Sequence, residues 1–179
     1  MRLFFAINFS EETKSNLASL RDELRVKSAR GNFSAAENMH LTLAFLGECN
    51  AKQSAAAKAV IDLLNIEEMN IYVDRLGCFR RNDGDIWWAG IADNARLFAM
   101  QHDLTEKLIS ARFQMENRKY NPHITLARKV VTKEQPRQVE PFGETIRSVE
   151  LMKSERLQGK LTYTIVHMKK IGYSAKNIG

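Results

Sequence analysis

Two short motifs in this chain combine residue types and spacing that suit chemistry on a phosphate. Residues 40–43 and 123–126 both have the pattern His-x-Thr-Leu. Each motif begins an alternating apolar run typical of a β-strand, in which residues i and i+2 face the same side. His40 and Thr42 therefore share one face, as do His123 and Thr125, with apolar residues buried behind them. The duplication predicts that both imidazoles lie in one cleft.

Paired imidazoles suit general acid–base catalysis, because they titrate near neutrality. A neutral histidine can take a proton from water, and a protonated one can give a proton to a leaving oxygen. We expect His123 to activate water and His40 to protonate the leaving oxygen, although the residue pattern leaves the opposite assignment open. The hydroxyls of Thr42 and Thr125 can donate hydrogen bonds to phosphoryl oxygens, where charge develops in the transition state. The pattern predicts phosphodiester cleavage without a metal or other cofactor.

Two other interpretations compete with this one. A single histidine on a strand is more often structural than catalytic, although two copies of one motif weaken that objection. A zinc site would need three or four ligands at suitable spacing. His102 and His167 lie in no such arrangement, and the two cysteines form no Cys-x-x-Cys motif. We therefore predict no metal site, and we interpret these other histidines as ordinary residues.

Composition favours a globular protein with a polyanionic partner. The chain has 179 residues, 44% of them apolar, and a net charge of +6. An excess of basic residues favours nucleic acid as a partner, although charge alone is weak support. With two cysteines and no long apolar stretch, we expect a cytoplasmic protein that contacts no membrane. The N-terminal residues are predicted to form a strand rather than a signal peptide.

Local patterns place the motifs among alternating helices and strands. Ser10 is predicted to cap a first helix, and Asn50 with Gln53 a second one. A third helix is predicted from Asn94 to about Phe113. Further strands are predicted at residues 3–9, 69–76, 85–91, 145–152 and 161–168, and loops at residues 30–38 and 133–143.

No linker rich in proline, glycine or serine divides the chain. We therefore predict a single two-lobed domain, with residues 1–168 as its core and residues 169–179 as a mobile tail. Nothing in the sequence calls for a second copy, and we expect a monomer.

The motifs and several flanking segments resemble the two-histidine (2H) phosphoesterase superfamily. The most similar group is the bacterial RNA 2′,3′-cyclic phosphodiesterases, also called 2′-5′ RNA ligases. Residues 38–47 and 122–128 resemble the two family motifs. Residues 2–7 resemble the opening strand, residues 87–91 the strand between the motifs, and residues 151–154 with Tyr163 the final hairpin.

This resemblance implies an α+β, bilobal fold, in which two pseudo-twofold-related lobes of antiparallel sheet with flanking helices surround a central cleft. It implies a metal-independent enzyme that hydrolyses RNA 2′,3′-cyclic phosphate ends to 2′-phosphate. The partners would be RNA with such an end, or small cyclic nucleotides. Reversible 2′-5′ ligation and cleavage, or binding of an RNA end without turnover, are the alternative functions.

Further binding residues are proposed around the motifs. Arg128 matches a basic position of the family and is expected to bind phosphate, although it has the alternative of being a solvated strand-end charge. Phe5 and Phe45 have rings that can stack on a base, which tolerates any sequence. We expect Phe45 to lie in the core, because strand alternation points it away from His40. Arg80 and Arg81 precede a turn and are candidates for contact with the RNA backbone.

Overall fold

Helices and strands form along residues 1–171, the part of the chain that the computed structural model describes. The strands of this part are β1 (Arg2–Ile7), β2 (Ser28–Phe33), β3 (Leu41–Glu48), β4 (Asn70–Phe79), β5 (Asp85–Ile91), β6 (His123–Thr132), β7 (Arg137–Thr145), β8 (Ser148–Leu157) and β9 (Lys160–Lys170). The α-helices are α1 (Glu11–Val26), α2 (Ala51–Leu63) and α3 (Ala95–Ser110), and a short 3-10 helix spans Ala36–Asn38.

The first two helices begin at the predicted caps, and α3 begins directly after Asn94, where the third helix is predicted to start. The Ser10 side chain accepts a hydrogen bond at the start of α1, and Asn94 does the same for α3. Asn50 and Gln53 form a reciprocal capping box at 2.9 Å in both directions. Such a box satisfies two of the amide groups that a helix N-terminus leaves free. None of these helices combines the length and hydropathy that crossing a membrane requires.

Two antiparallel sheets place the motif strands in separate layers of the molecule. One sheet has the order β3-β1-β8-β9, and the other has the order β2-β6-β5-β4-β7. Helix α1 packs against β2, β6 and β7, whereas α2 packs against β8 and β9, and α3 against α2 and β3. One continuous cluster of buried apolar residues joins both sheets. The predicted α+β class with two antiparallel sheets and flanking helices is confirmed.

Parts of the two predicted loops, residues 30–33 and 137–143, are in fact strands. Residues 28–33 form β2 beside β6, and residues 137–145 form β7 beside β4. Both are edge strands whose side chains are mostly exposed or half-buried. They therefore lack the apolar alternation that marks a strand in sequence. Pro141 lies within β7, which an edge strand tolerates because one side of its backbone has no partner.

The predicted tail begins too early. Lys169 and Lys170 belong to β9 and pair with the start of β8. The Lys169 ammonium also donates to the backbone carbonyls of Asp62 and Leu64, at 2.8 and 2.6 Å. The boundary at residue 169 was therefore wrong, and the rest of the predicted tail, residues 172–179, lies outside the described residues.

A β-bulge interrupts the first motif strand directly after its threonine. Phe5 of β1 pairs with Ala44, yet the next residue, Ala6, pairs with Thr42. Leu43 is thus an extra residue on β3. A bulge of this kind reverses the alternation of side chains beyond it.

The second motif strand contains the same bulge at the same motif position. Trp87 of β5 pairs with Ala127, and Trp88 pairs with Thr125, so Leu126 is the extra residue on β6. In both strands the leucine and the following alanine are buried side by side. The structural duplication therefore extends beyond the four motif residues.

Candidate active site

Both motif histidines are held by the same backbone contact. His40 Nδ1 lies 2.8 Å from the carbonyl oxygen of Asn38, and His123 Nδ1 lies 2.7 Å from that of Asn121. A carbonyl can only accept, so each Nδ1 carries the proton and donates it. Each neutral ring therefore has its free lone pair on Nε2, the atom available for proton transfer.

Each imidazole also lies between two aromatic rings. The Tyr163 ring stands nearly perpendicular to His40 at 5.0 Å between centroids, and Phe4 is tilted against it at 4.9 Å. Phe79 is nearly perpendicular to His123 at 5.2 Å, with Trp88 tilted at 5.9 Å. These rings pack against both histidines and restrict their orientation.

The environment favours the neutral form of both rings. Burial lowers the pKa of His40 to about 4, and the positive charge of Lys14 acts in the same direction. Burial also lowers the pKa of His123, and the cations of Arg128 and Arg118 add to that effect. In the absence of an anion, both imidazoles are thus neutral at pH 7.

The motif threonines lie beside the histidines as their shared strand face requires. Thr42 Oγ1 is 3.1 Å from His40 Nε2 and donates to its lone pair. Thr125 pairs with Trp88 across the strands and is half-buried on the His123 face. The Thr42 hydroxyl thus lies at the reactive nitrogen of His40, and Thr125 shares the strand face of His123.

Because of the two bulges, the residue at the sixth position counted from each histidine, here called the sixth motif position, faces the same side of the strand as the histidine. In the first motif this residue is Phe45, which is 59% exposed and whose ring lies 5.9 Å from that of Phe4. In the second it is Arg128, which is exposed and whose charge acts with burial to lower the pKa of His123. An aromatic ring and a guanidinium thus occupy equivalent places.

Expectations for the aromatic residues need correction. Phe5 is fully buried in the main core, so its ring has no face to offer a base. The prediction that Phe45 lies in the core was wrong, because the bulge at Leu43 reverses the alternation on which it rested. Of the two tryptophans, Trp87 is fully buried and Trp88 lies beside His123.

The two arginines proposed for the RNA backbone lie at the exposed end of β4. Arg80 forms an ion pair with Asp85 at 2.6 Å, and Arg81 Nη1 donates to the Arg80 carbonyl oxygen. Both follow Phe79 in sequence, and it is Phe79 that contacts His123.

The sequence patterns do not predict three aromatic neighbours of the histidines as part of the site, namely Phe4, Phe79 and Tyr163. For Phe4 a signal existed, since Leu3, Phe5 and Ile7 form the more apolar face of β1 and leave Phe4 on the other. Among residues 1–171, no three histidine, cysteine or carboxylate side chains are grouped as metal ligands.

Comparisons with known proteins agree with this architecture. Residues 7–88 and 90–161 match the family described as LigT like phosphoesterase. An RNA 2′,3′-cyclic phosphodiesterase of Thermotoga maritima is 30% identical over 72% of this chain and 70% of its own. One of Methanocaldococcus jannaschii is 32% identical over 72% and 71%.

Solved structures of Escherichia coli LigT share the fold. The complex with 3′-AMP has a TM-score of 0.82 at 24% identity, covering 95% of this chain and 97% of that one. The complex with ATP has a TM-score of 0.77 at 25% identity, with the same coverage. The fold is thus that of a 2H phosphoesterase. With most of its length matched, the chain belongs to the LigT-like phosphoesterase family.

Proposed function

We propose that this protein hydrolyses 2′,3′-cyclic phosphate ends of RNA to 2′-phosphates, with His40 and His123 as an acid–base pair and without a metal ion. The observation that carries the proposal is the matched presentation of two neutral imidazoles, each with Nδ1 donating to a carbonyl and its lone pair on Nε2, which at His40 faces the Thr42 hydroxyl. The relatives named RNA 2′,3′-cyclic phosphodiesterase support the same reaction.

The surroundings of the two histidines favour different roles. His123 takes a proton from water as the water oxygen attacks phosphorus, and burial together with the nearby Arg128 cation keeps this base neutral. His40 gives a proton to the departing O3′, so that the P–O3′ bond breaks and the 2′-phosphate remains. Since the pKa of free His40 is about 4, the bound anion has to raise it before this step.

The phosphate is held by hydroxyls and one guanidinium. Thr42 and Thr125 donate to its oxygens from the two strands, next to the histidines that move the protons. Arg128 reaches the same face of the sheet through the bulge in β6, and its planar fork suits two phosphate oxygens. These contacts stabilise the charge that develops on the pentacoordinate phosphorus.

The base of the terminal nucleotide stacks on Phe45. The ring is exposed beside the His40 cluster, where a nucleoside attached to the phosphate would extend. The E. coli LigT complex with ATP, at 25% identity, supports a nucleotide as a ligand of this protein. The net charge of +6 supports RNA as the longer ligand, and Arg80 and Arg81 are candidates for its backbone.

A product assay tests the proposal directly. An RNA oligonucleotide with a 2′,3′-cyclic phosphate end is incubated with the protein in excess chelator, and the products are resolved. We expect a 2′-phosphate, and a loss of orders of magnitude in rate for His40→Ala and for His123→Ala, both still folded. Binding without product would favour an RNA-end-binding module, joined strands would favour ligation, and activity lost with chelator would require a metal.

A further inference from the structure

A tyrosine outside both motifs connects the two histidine sites. Tyr120 lies in the segment that leads from α3, on one side of the molecule, into β6 of the five-stranded sheet. Its hydroxyl donates to the backbone carbonyl of Thr42 at 2.9 Å. Its ring meets Phe98 of α3 edge-on at 5.9 Å. The side chain is thus fixed against the elements that carry the first motif.

The backbone of the same segment holds the second motif. Asn121, the next residue, provides the carbonyl that accepts from His123 Nδ1 at 2.7 Å. Pro122 then accepts a hydrogen bond from the Ile91 amide of β5, which fixes the segment to the second sheet. The Tyr120 side chain therefore contacts one motif strand, while its backbone leads directly to the anchor of the other histidine.

These contacts form one path between the two imidazoles. It runs from His123 through Asn121 and Tyr120 to Thr42, whose hydroxyl lies 3.1 Å from His40 Nε2. Along this path, only the hydrogen bond of the Tyr120 hydroxyl runs from one sheet to the other, since the remaining steps are local contacts or covalent bonds. Burial raises the pKa of Tyr120, so the hydroxyl stays protonated and remains a donor.

We infer that Tyr120 is a positioning residue that sets the relative placement of the two motif strands, and hence of the acid and the base. The inference rests on the proposed function, because it concerns a reaction that needs both histidines. A displacement of one motif by a fraction of an ångström would leave each histidine intact while disturbing their joint action on one phosphorus.

The test is Tyr120→Phe, which keeps the ring and removes the donor. On an RNA oligonucleotide with a 2′,3′-cyclic phosphate end, we expect kcat to fall between about 10-fold and 100-fold, with KM changed by less than about two-fold. The matched control is Gln101→Leu. Gln101 donates from α3 to the neighbouring carbonyl of Leu43 at 3.2 Å, without connecting the two sheets, and its loss should leave kcat nearly unchanged.

A second readout does not depend on turnover. Imidazole nitrogen signals of His40 and His123 are followed by NMR in the free protein as pH is varied, and Tyr120→Phe should shift the signals of both rings. If the wild type makes no product, the proposed function fails, yet this comparison still tests Tyr120. A lower melting temperature with unchanged kcat and unchanged imidazole signals would overturn the inference, as would an equal loss in Gln101→Leu.

Discussion

Binding of a cyclic phosphate should place a proton on His40. In the free protein the pKa of this ring is about 4, so at pH 6.5 roughly one molecule in 300 carries the proton. A phosphodiester anion about 4 Å from the ring contributes about 4 kcal/mol at the effective dielectric of a protein site. That energy corresponds to about three pKa units. It would raise the pKa of His40 to about 7, close to neutral pH, where a general acid is most effective.

The assay is calorimetric titration of the His123→Ala variant with uridine 2′,3′-cyclic phosphate, a ligand with no group that titrates between pH 5 and 8. Measured in buffers of different ionisation enthalpy at pH 6.5, binding should take up about three-quarters of a proton. The affinity should rise about five-fold from pH 7 to 6 and about nine-fold from pH 6 to 5.

The control is the double variant His123→Ala with His40→Asn, in which the asparagine amide still has a donor for the Asn38 carbonyl. This protein should bind the ligand with no proton uptake. If uptake is absent in the single variant, or equal in both, the bound anion does not charge His40 and its assignment as the acid is refuted.

Three further predictions concern stability, the phosphate and the base. Between pH 6.5 and 4 the free energy of unfolding should fall by about 3 kcal/mol through His40. The reason is that the pKa of His40 is lower in the folded protein, so the unfolded chain takes up the proton first as the pH falls. Urea denaturation at several pH values should show a smaller fall for His40→Asn. Thr42→Val and Thr125→Val should each lower kcat by roughly 10-fold to 1000-fold while remaining folded. Unchanged turnover would show that the two hydroxyls have no role in catalysis. Phe45→Leu should raise KM for a cyclic nucleotide by roughly 5-fold to 150-fold, the scale of one base stack. The same change should not affect a base-free cyclic phosphate of a simple diol, and equal effects on both substrates would contradict stacking.

Much of the fold was predictable because its signals are local. The three helix caps follow from Ser10, Asn50 and Asn94, whose side chains satisfy the first amides of each helix. Strands with one buried face were recognisable from their alternation. The edge strands β2 and β7 were not, since pairing rather than burial of their side chains makes them strands.

The residues of the candidate site likewise fall into those that the sequence predicts and those that it does not. His40, Thr42, His123 and Thr125 were selected by a repeated pattern, and their shared faces follow from strand geometry. The role of Phe45 was misjudged because alternation was extended across a bulge, which depends on hydrogen bonding to β1. A signal was nevertheless present, since both motifs continue with Leu-Ala, and two consecutive buried residues are inconsistent with a regular strand that has only one buried face. The rings of Phe79 and Tyr163 depend on pairing between distant strands.

The shared bulge has a consequence for the direction in which a ligand enters. The histidines, threonines and bulges are the same on both sides of the cleft. These repeated features alone would therefore accept a substrate in either of two opposite orientations. The sixth motif position removes that ambiguity, because a ring stands on one side and a cation on the other. This pair of side chains therefore contributes to the orientation of the bound substrate. An exchange of the two, Phe45→Arg with Arg128→Phe, would keep both histidines and both threonines and should favour the opposite orientation.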